Sequence, residues 1–164
     1  MDSDELEDLF EDLNLDGPTQ DQLFTIYGIF LNDFARKPLV VNGVNVSFNN
    51  TKSRQPVCPG KALTFEHIIT RGSKYNNRRS FDPERANKIH WIRPIIENLG
   101  NPRIKYFERI NGEGFNQKFF WFPEQAFIVI LRVITQDCIL ITAFSVAYGE
   151  KGMYKTWYEE FRDR

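Results

Sequence analysis

Residues 103–147 read RIKYFERINGEGFNQKFFWFPEQAFIVILRVITQDCILITAFSVA, and the spacing of their side chains decides the fold. Apolar and polar residues recur here with a period near two, the period of a strand. Four strands are predicted, over residues 104–110, 117–122, 126–134 and 138–147. They are joined by NGEG, by a Pro123-Glu124 turn and by Thr135-Gln136-Asp137. Connections this short imply antiparallel neighbours, since parallel strands need a long crossover. In the first strand Lys105, Phe107 and Arg109 fall on one face and Ile104, Tyr106, Glu108 and Ile110 on the other.

Upstream of this stretch the period is helical. Residues 1–14 are predicted as a short acidic helix with Leu6, Leu9, Phe10 and Leu13 on one stripe, broken by Gly17-Pro18. Thr19 and Gln22 form a capping box at the start of a second helix, whose stripe is Leu23, Ile26, Tyr27, Phe30 and Phe34. Residues 38–48 read as a hairpin about Asn42-Gly43, a dipeptide suited to a type I′ turn. A polar loop over 49–60 leads to a helix over 61–71, stopped by Gly72. A last helix is predicted over 82–99, with Asp82 as N-cap, Pro83 at its first position and Pro94 kinking it. The expected architecture is an α+β fold: N-terminal helices packed on a four-stranded antiparallel β-meander, with an extra N-terminal β-hairpin. One compact domain is expected overall, with an acidic arm (1–16), a helix and hairpin extension (17–60), an α+β body (61–150) and a C-terminal tail (151–164) in which residues 154–161 read as a last helical turn.

Composition narrows the class. With 164 residues, 41% hydrophobic and 26% charged, the chain has the make-up of a soluble globular domain. Two cysteines, Cys58 and Cys138, are too few for a disulfide framework and lack zinc-ligand spacing, and only His67 and His90 are histidines. No metal or cofactor is implied. The acidic start MDSDELEDLF is unlike a signal peptide, and no apolar run approaches the ~20 residues that span a bilayer. A cytoplasmic site of action is expected; a protein delivered into a target cell by a non-Sec route would read the same way. The formal net charge of −1 hides an asymmetry. Residues 1–35 carry ten acids and no base, whereas residues 36–164 carry all 21 bases and 12 acids. An acidic arm on a basic body points to a polyanionic partner. The arm itself reads as a solvated tail, as a docking segment for a partner, or as a phosphate mimic over the chain's own basic face.

Four constellations can carry chemistry. His67 and Arg71 lie four apart and share a helix face; the pair combines a group that exchanges protons near neutral pH with a permanent phosphate fork. The bland alternative is a half-buried histidine beside a surface arginine. The segment from Arg71 to Lys88 also contains Lys74, Arg78, Arg79 and Arg85, interleaved with Tyr75 and Phe81. Bases and rings so placed suit a nucleic-acid backbone and its unpaired bases, or else a solvated loop that pairs with the acidic arm. Trp121 and Tyr106, in the aromatic-rich strands, are stacking candidates or core. Thr142, a hydroxyl in an apolar strand, can meet a scissile phosphate or satisfy itself on the backbone. His90 reads as structural.

The order of His67-x-x-x-Arg71, the segment RANKIHWI (85–92) with Trp91, and strands closing on AFIVILRVI and CILITAFSV resembles the phage- and toxin-associated branch of the barnase/EndoU/colicin/RelE-like nuclease superfamily. The resemblance covers about residues 64–147. It implies a metal-independent ribonuclease, a toxin or phage effector, in which the RNA 2′-hydroxyl attacks the adjacent phosphate. It further implies His67 as general acid or base, Arg71 on the phosphate and Thr142 facing the cleft. Charge and position add Arg78, Arg79, Arg85 and Lys105 as substrate contacts, and Trp91 and Trp121 as rings beside it. Glu66 and Glu108 are candidates for a second acid or base, although Glu66 starts about 100° round the helix from His67. The expected partners are RNA, with tRNA one class, and an antitoxin or immunity protein; no membrane is implied. The rival readings are a catalytically inactive RNA- or protein-binding adaptor on the same fold and a structural phage protein.

Overall fold

The computed structural model describes residues 6–73 and 78–162. The fold is mixed α+β. Strands β5 (Lys105–Ile110), β6 (Asn116–Phe122), β7 (Phe127–Ile134) and β8 (Asp137–Ser145) pair antiparallel in succession. They do not stand alone as a four-stranded sheet. The hairpin of β1 (Val40–Val41) and β2 (Val44–Ser47) joins them through a parallel pairing of Val46 with Cys138 and Ser47 with Ile139. The result is a six-stranded sheet in the order β1-β2-β8-β7-β6-β5. The expectation of a separate hairpin is corrected here: local turn chemistry specifies β1 against β2 but carries no signal for the strand beyond. Asn42 and Gly43 both have positive φ (53° and 75°), as a tight hairpin turn requires.

Both faces of the sheet are covered. One face, with Phe120, Phe122, Val129, Leu131, Leu140 and Ala143, joins a core with Ile26 and Phe30 of α1 (Gln20–Phe34) and Phe65 and Ile68 of α2 (Leu63–Ile69). The other face carries Phe107, Phe119, Trp121, Ile128 and Ile130, packed against Tyr154, Trp157 and Phe161 of α5 (Lys151–Phe161). The expected C-terminal tail is thus a helix with a full apolar stripe. This double burial is why β6 reads as four consecutive aromatics, all buried, rather than as a strict alternation. Lys105 Nζ lies 4.7 Å from the Tyr158 ring centre and the Arg109 guanidinium 4.0 Å from that of Trp157, so cations line the seam.

Local signals explain most of the helices. Thr19 and Gln22 form the predicted capping box of α1. The helix predicted over 61–71 ends earlier, at Ile69. The chain then extends into β3 (Thr70–Arg71), which pairs with β4 (Ser80–Phe81). The helix predicted over 82–99 splits into α3 (Pro83–Ala86), a 3₁₀ turn (Ile89–Trp91) and α4 (Ile92–Glu97). The break precedes Pro94, because a continuous helix would press the proline ring onto the His90 carbonyl one turn back.

The acidic arm is not helical over residues 6–14. It runs as a strap on α3 and the 3₁₀ turn. The Leu9 N–H donates to the Asn87 carbonyl (3.2 Å), the Phe10 N–H to Asn87 Oδ1 (2.9 Å) and the Trp91 indole N–H to the Glu7 carbonyl (3.2 Å). Leu6 is buried, Leu9, Phe10 and Leu13 pack on the core, and Asp8 lies 3.9 Å from Lys88. A lone helix of this length is marginal, and this one would contain no base to pair with its acids. The acids Asp2, Asp4 and Glu5 lie outside the described residues. The same core cluster holds Leu6, Phe30 and Phe65, one side chain from each of the arm, the extension and the body. Truncation after Glu150 is expected to expose the Phe107–Phe119–Trp121 face. The melting temperature should fall and dye binding to exposed apolar surface should rise; an unchanged melting curve would show residues 151–164 to be an independent tail.

Candidate functional site

The site is built on the outer side of α2. Phe65, Ile68 and Ile69 are fully buried, and the Tyr27 ring meets Phe65 edge-on at 4.7 Å. Thr64 ties the helix to its neighbours: its hydroxyl accepts from the Asn49 N–H (2.8 Å) and lies 3.5 Å from the Leu140 carbonyl of β8. That anchoring leaves His67 outward, its side chain 42% exposed. Glu66 turns inward and is 4% exposed. Its Oε1 accepts from the Ser53 hydroxyl at 2.7 Å, and its Oε2 lies 3.5 Å from His67 Nε2 and 3.9 Å from Arg79 Nε. The 100° of helix rotation between the two residues is closed by the length of the glutamate side chain.

A second layer gathers on Thr70, just past the end of α2. Helix carbonyls there lack intrahelical partners. Arg79 donates from Nε to the Thr70 hydroxyl (2.8 Å) and from Nη2 to the Thr70 carbonyl (3.0 Å). Arg85 donates from Nη1 to the same carbonyl (2.8 Å) and to that of His67 (3.4 Å), while its Nε lies 3.6 Å from Asp82. The Thr70 hydroxyl donates back to the Glu66 carbonyl. Burial holds the His67 imidazole below its usual pKa; the charges of Arg79 and Arg85 push the same way, against Glu66. The ring is therefore neutral at pH 7, with two guanidinium groups close by.

Arg71 is not on the His67 helix. It sits on β3, exposed, opposite Ser80, because the helix ends before it. Thr142 pairs with Ile130 across β7–β8 and so shares the sheet face of Ile130, Ile128 and Phe144, whereas α2 packs on the other face. Its hydroxyl has no hydrogen-bond partner among the described residues. The link from the α2–α3 unit to that face is Arg85, whose guanidinium lies 5.2 Å from the Phe144 ring centre. β2 pairs with β8 only at Cys138 and Ile139, so beyond Ile139 this edge of β8 has no strand partner among the described residues and meets α2 and α3 instead.

The remaining candidates scatter. Trp91 is 3% exposed, edge-on to Phe127 at 5.2 Å, and its N–H holds the strap. Trp121 is 5% exposed under Tyr154. Both are core, so neither ring is open to a substrate as expected; aromatic-rich segments become core when both sheet faces are covered. Lys105 lies at the α5 seam, away from α2. Arg78 and Arg79 line an open groove of about 980 Å³ together with Lys61, Tyr27 and the exposed Phe24. His90 lies apart, in a smaller groove of about 580 Å³ with Asp33 and Arg93. Lys74 and Tyr75 lie outside the described residues. The sequence reading missed Ser53 and the knot on Thr70. Neither has a spacing signature, since loop 49–60 meets α2 only on folding.

Among the described residues no three His, Cys, Asp or Glu side chains form a metal-ligand group. No helix of the described residues is long and apolar enough to cross a membrane. In comparisons with known proteins, no family model, curated protein or solved structure matches this chain.

Both histidines are held below the ordinary value of 6.5, chiefly by burial. Just below that value the unfolded chain binds more protons than the folded one. Their contribution to stability is therefore complete above it and lost as pH falls toward the folded values. Denaturant titrations from about pH 7 to about pH 5 should show His67→Gln losing less stability than wild type over that range. Arg79→Gln should raise the His67 titration midpoint seen by NMR; an unchanged midpoint would remove Arg79 from the electrostatics of the ring.

Proposed function

We propose that this chain is a metal-independent endoribonuclease, acting in the cytoplasm as a toxin or phage effector, with His67 as its proton-transfer group. The observation that carries the reading is His67 itself: a half-exposed imidazole, kept neutral, with a carboxylate and two guanidinium groups beside it. A neutral imidazole can take the proton of an RNA 2′-hydroxyl as that oxygen attacks the neighbouring phosphorus. The bond from phosphorus to the 5′-oxygen breaks, the departing oxygen takes a proton from water, and a 2′,3′-cyclic phosphate remains. In this reading the exposed Arg71 of β3 contacts the phosphate, and the charge of the Arg79–Arg85 layer favours the dianionic transition state. The resemblance of residues 64–147 to the barnase/EndoU/colicin/RelE-like nucleases supports the same chemistry. It also makes an antitoxin or immunity protein the natural partner.

A second reading is a catalytically inactive RNA- or protein-binding adaptor. Two facts favour it: Arg79 and Arg85 direct their donors at Thr70, and Thr142 lies on a different sheet face from α2. Incubation of total RNA or tRNA with the protein in excess EDTA separates the two. The ribonuclease should leave 2′,3′-cyclic phosphate ends, and His67→Ala should lower the rate at least ~100-fold. Full activity in that variant would remove His67 from the mechanism. Binding without cleavage would establish the adaptor. For either, Arg71→Ala should reduce the slope of log affinity against log salt by about one if Arg71 meets a phosphate.

A further inference from the structure

Resting on the ribonuclease reading, and going further into the same site, we infer that Glu66, held in place by Ser53, is a positioning residue that fixes the tautomer of His67, with the proton on Nε2 and Nδ1 as the nitrogen that accepts the substrate proton. The geometry sets the assignment. Glu66 is buried, and one of its oxygens is fixed by the Ser53 hydroxyl at 2.7 Å. Ser53 is itself buried, lies 3.6 Å from the Cys58 thiol and accepts from the Gln55 N–H at 3.1 Å. The loop over 49–60 therefore clamps one end of the carboxylate. Its other oxygen is left facing His67 Nε2 at 3.5 Å, with Arg79 on its far side at 3.9 Å. A carboxylate only accepts hydrogen bonds, so the nitrogen facing it presents a hydrogen. A neutral imidazole has one N–H, and its lone pair is then on Nδ1.

The charged groups facing the ring come from three elements: Glu66 from α2, Arg79 from the approach to β4 and Arg85 from α3. The two arginines disfavour the imidazolium and Glu66 favours it. Glu66 thus does two things at once. It turns Nδ1 toward the role of base, and it stabilises the imidazolium formed when that base has taken the 2′-hydroxyl proton. No atom is transferred to Glu66, and the proton resides on His67 Nδ1 until it passes to water.

The test is long-range proton–nitrogen NMR of the full chain labelled at histidine nitrogen, with His90→Gln assigning the two rings. Above its titration midpoint His67 should show a protonated Nε2 and a bare Nδ1; the opposite tautomer overturns the inference. Glu66→Gln keeps the shape of the side chain and removes its charge. It should lower the His67 midpoint, move the acid limb of the kcat profile to lower pH, and reduce kcat at optimum pH roughly tenfold or more, with less effect on KM. An unchanged midpoint in folded Glu66→Gln also overturns the inference. Ser53→Ala should shift the midpoint less and retain the tautomer. Should Glu66→Gln not fold, the wild-type tautomer and Ser53→Ala decide the matter. A wild type with the expected tautomer that cuts no RNA overturns the ribonuclease reading and leaves the assignment of the ring intact.

Discussion

The constraint on which the rest of the structure depends is that β6 and β7 are apolar on both faces. Phe119, Phe120, Trp121 and Phe122 cannot all be withdrawn from water by a single layer of helices. One face takes the N-terminal helices and the other takes α5, and the chain ends meet that demand from opposite sides. Strands sealed in this way offer little to a substrate. The aromatic residues that look most like a stacking platform are the least available for one. The polar cluster on α2 lies instead toward the edge, where β2 leaves β8 after Ile139 and Thr64 of α2 meets the carbonyl of Leu140.

At that edge the organising contact is the meeting of two guanidinium groups on the Thr70 carbonyl. An arginine pair aimed at one backbone oxygen stabilises the frayed end of a short helix. It also brings two positive charges close to His67, and the same residues therefore serve structure and electrostatics together. Removing water from Glu66 would be costly without partners; Ser53 and Arg79 supply them. The arrangement has a direction, running from the clamped loop through Glu66 to His67 and out to the exposed surface.

Much of the fold is legible in the sequence, and the reasons are local. Within residues 103–147 the alternating stretches and the short apolar runs bounded by turns mark four strands, and short connections fix their antiparallel order. Thr19 with Gln22, and Asp82 with Pro83, mark helix starts through caps made within a few residues. The failures share one cause. The helix predicted over 61–71 ends at Ile69 because Thr70 and Arg71 pair with Phe81 and Ser80 of β4, beyond the reach of a helical pattern. The arm reads as a helix because its leucines have the spacing, yet Asn87 and Trp91 offer its backbone better partners. The candidate site was legible only as a histidine near arginines. Which arginine faces it depended on where the helix stopped.

The sequence by itself determined most of the strand and helix segments, the acidic arm on a basic body, and a histidine set among arginines at His67. Each follows from periodicity, capping or side-chain type, properties that a short stretch of chain carries alone. Only the tertiary structure decided that the hairpin extends the sheet, that Trp91 and Trp121 are core, that Thr142 and His67 belong to different faces, and that Ser53 holds Glu66 against the imidazole. Those outcomes depend on which surfaces exclude water together, and a linear pattern does not contain that information.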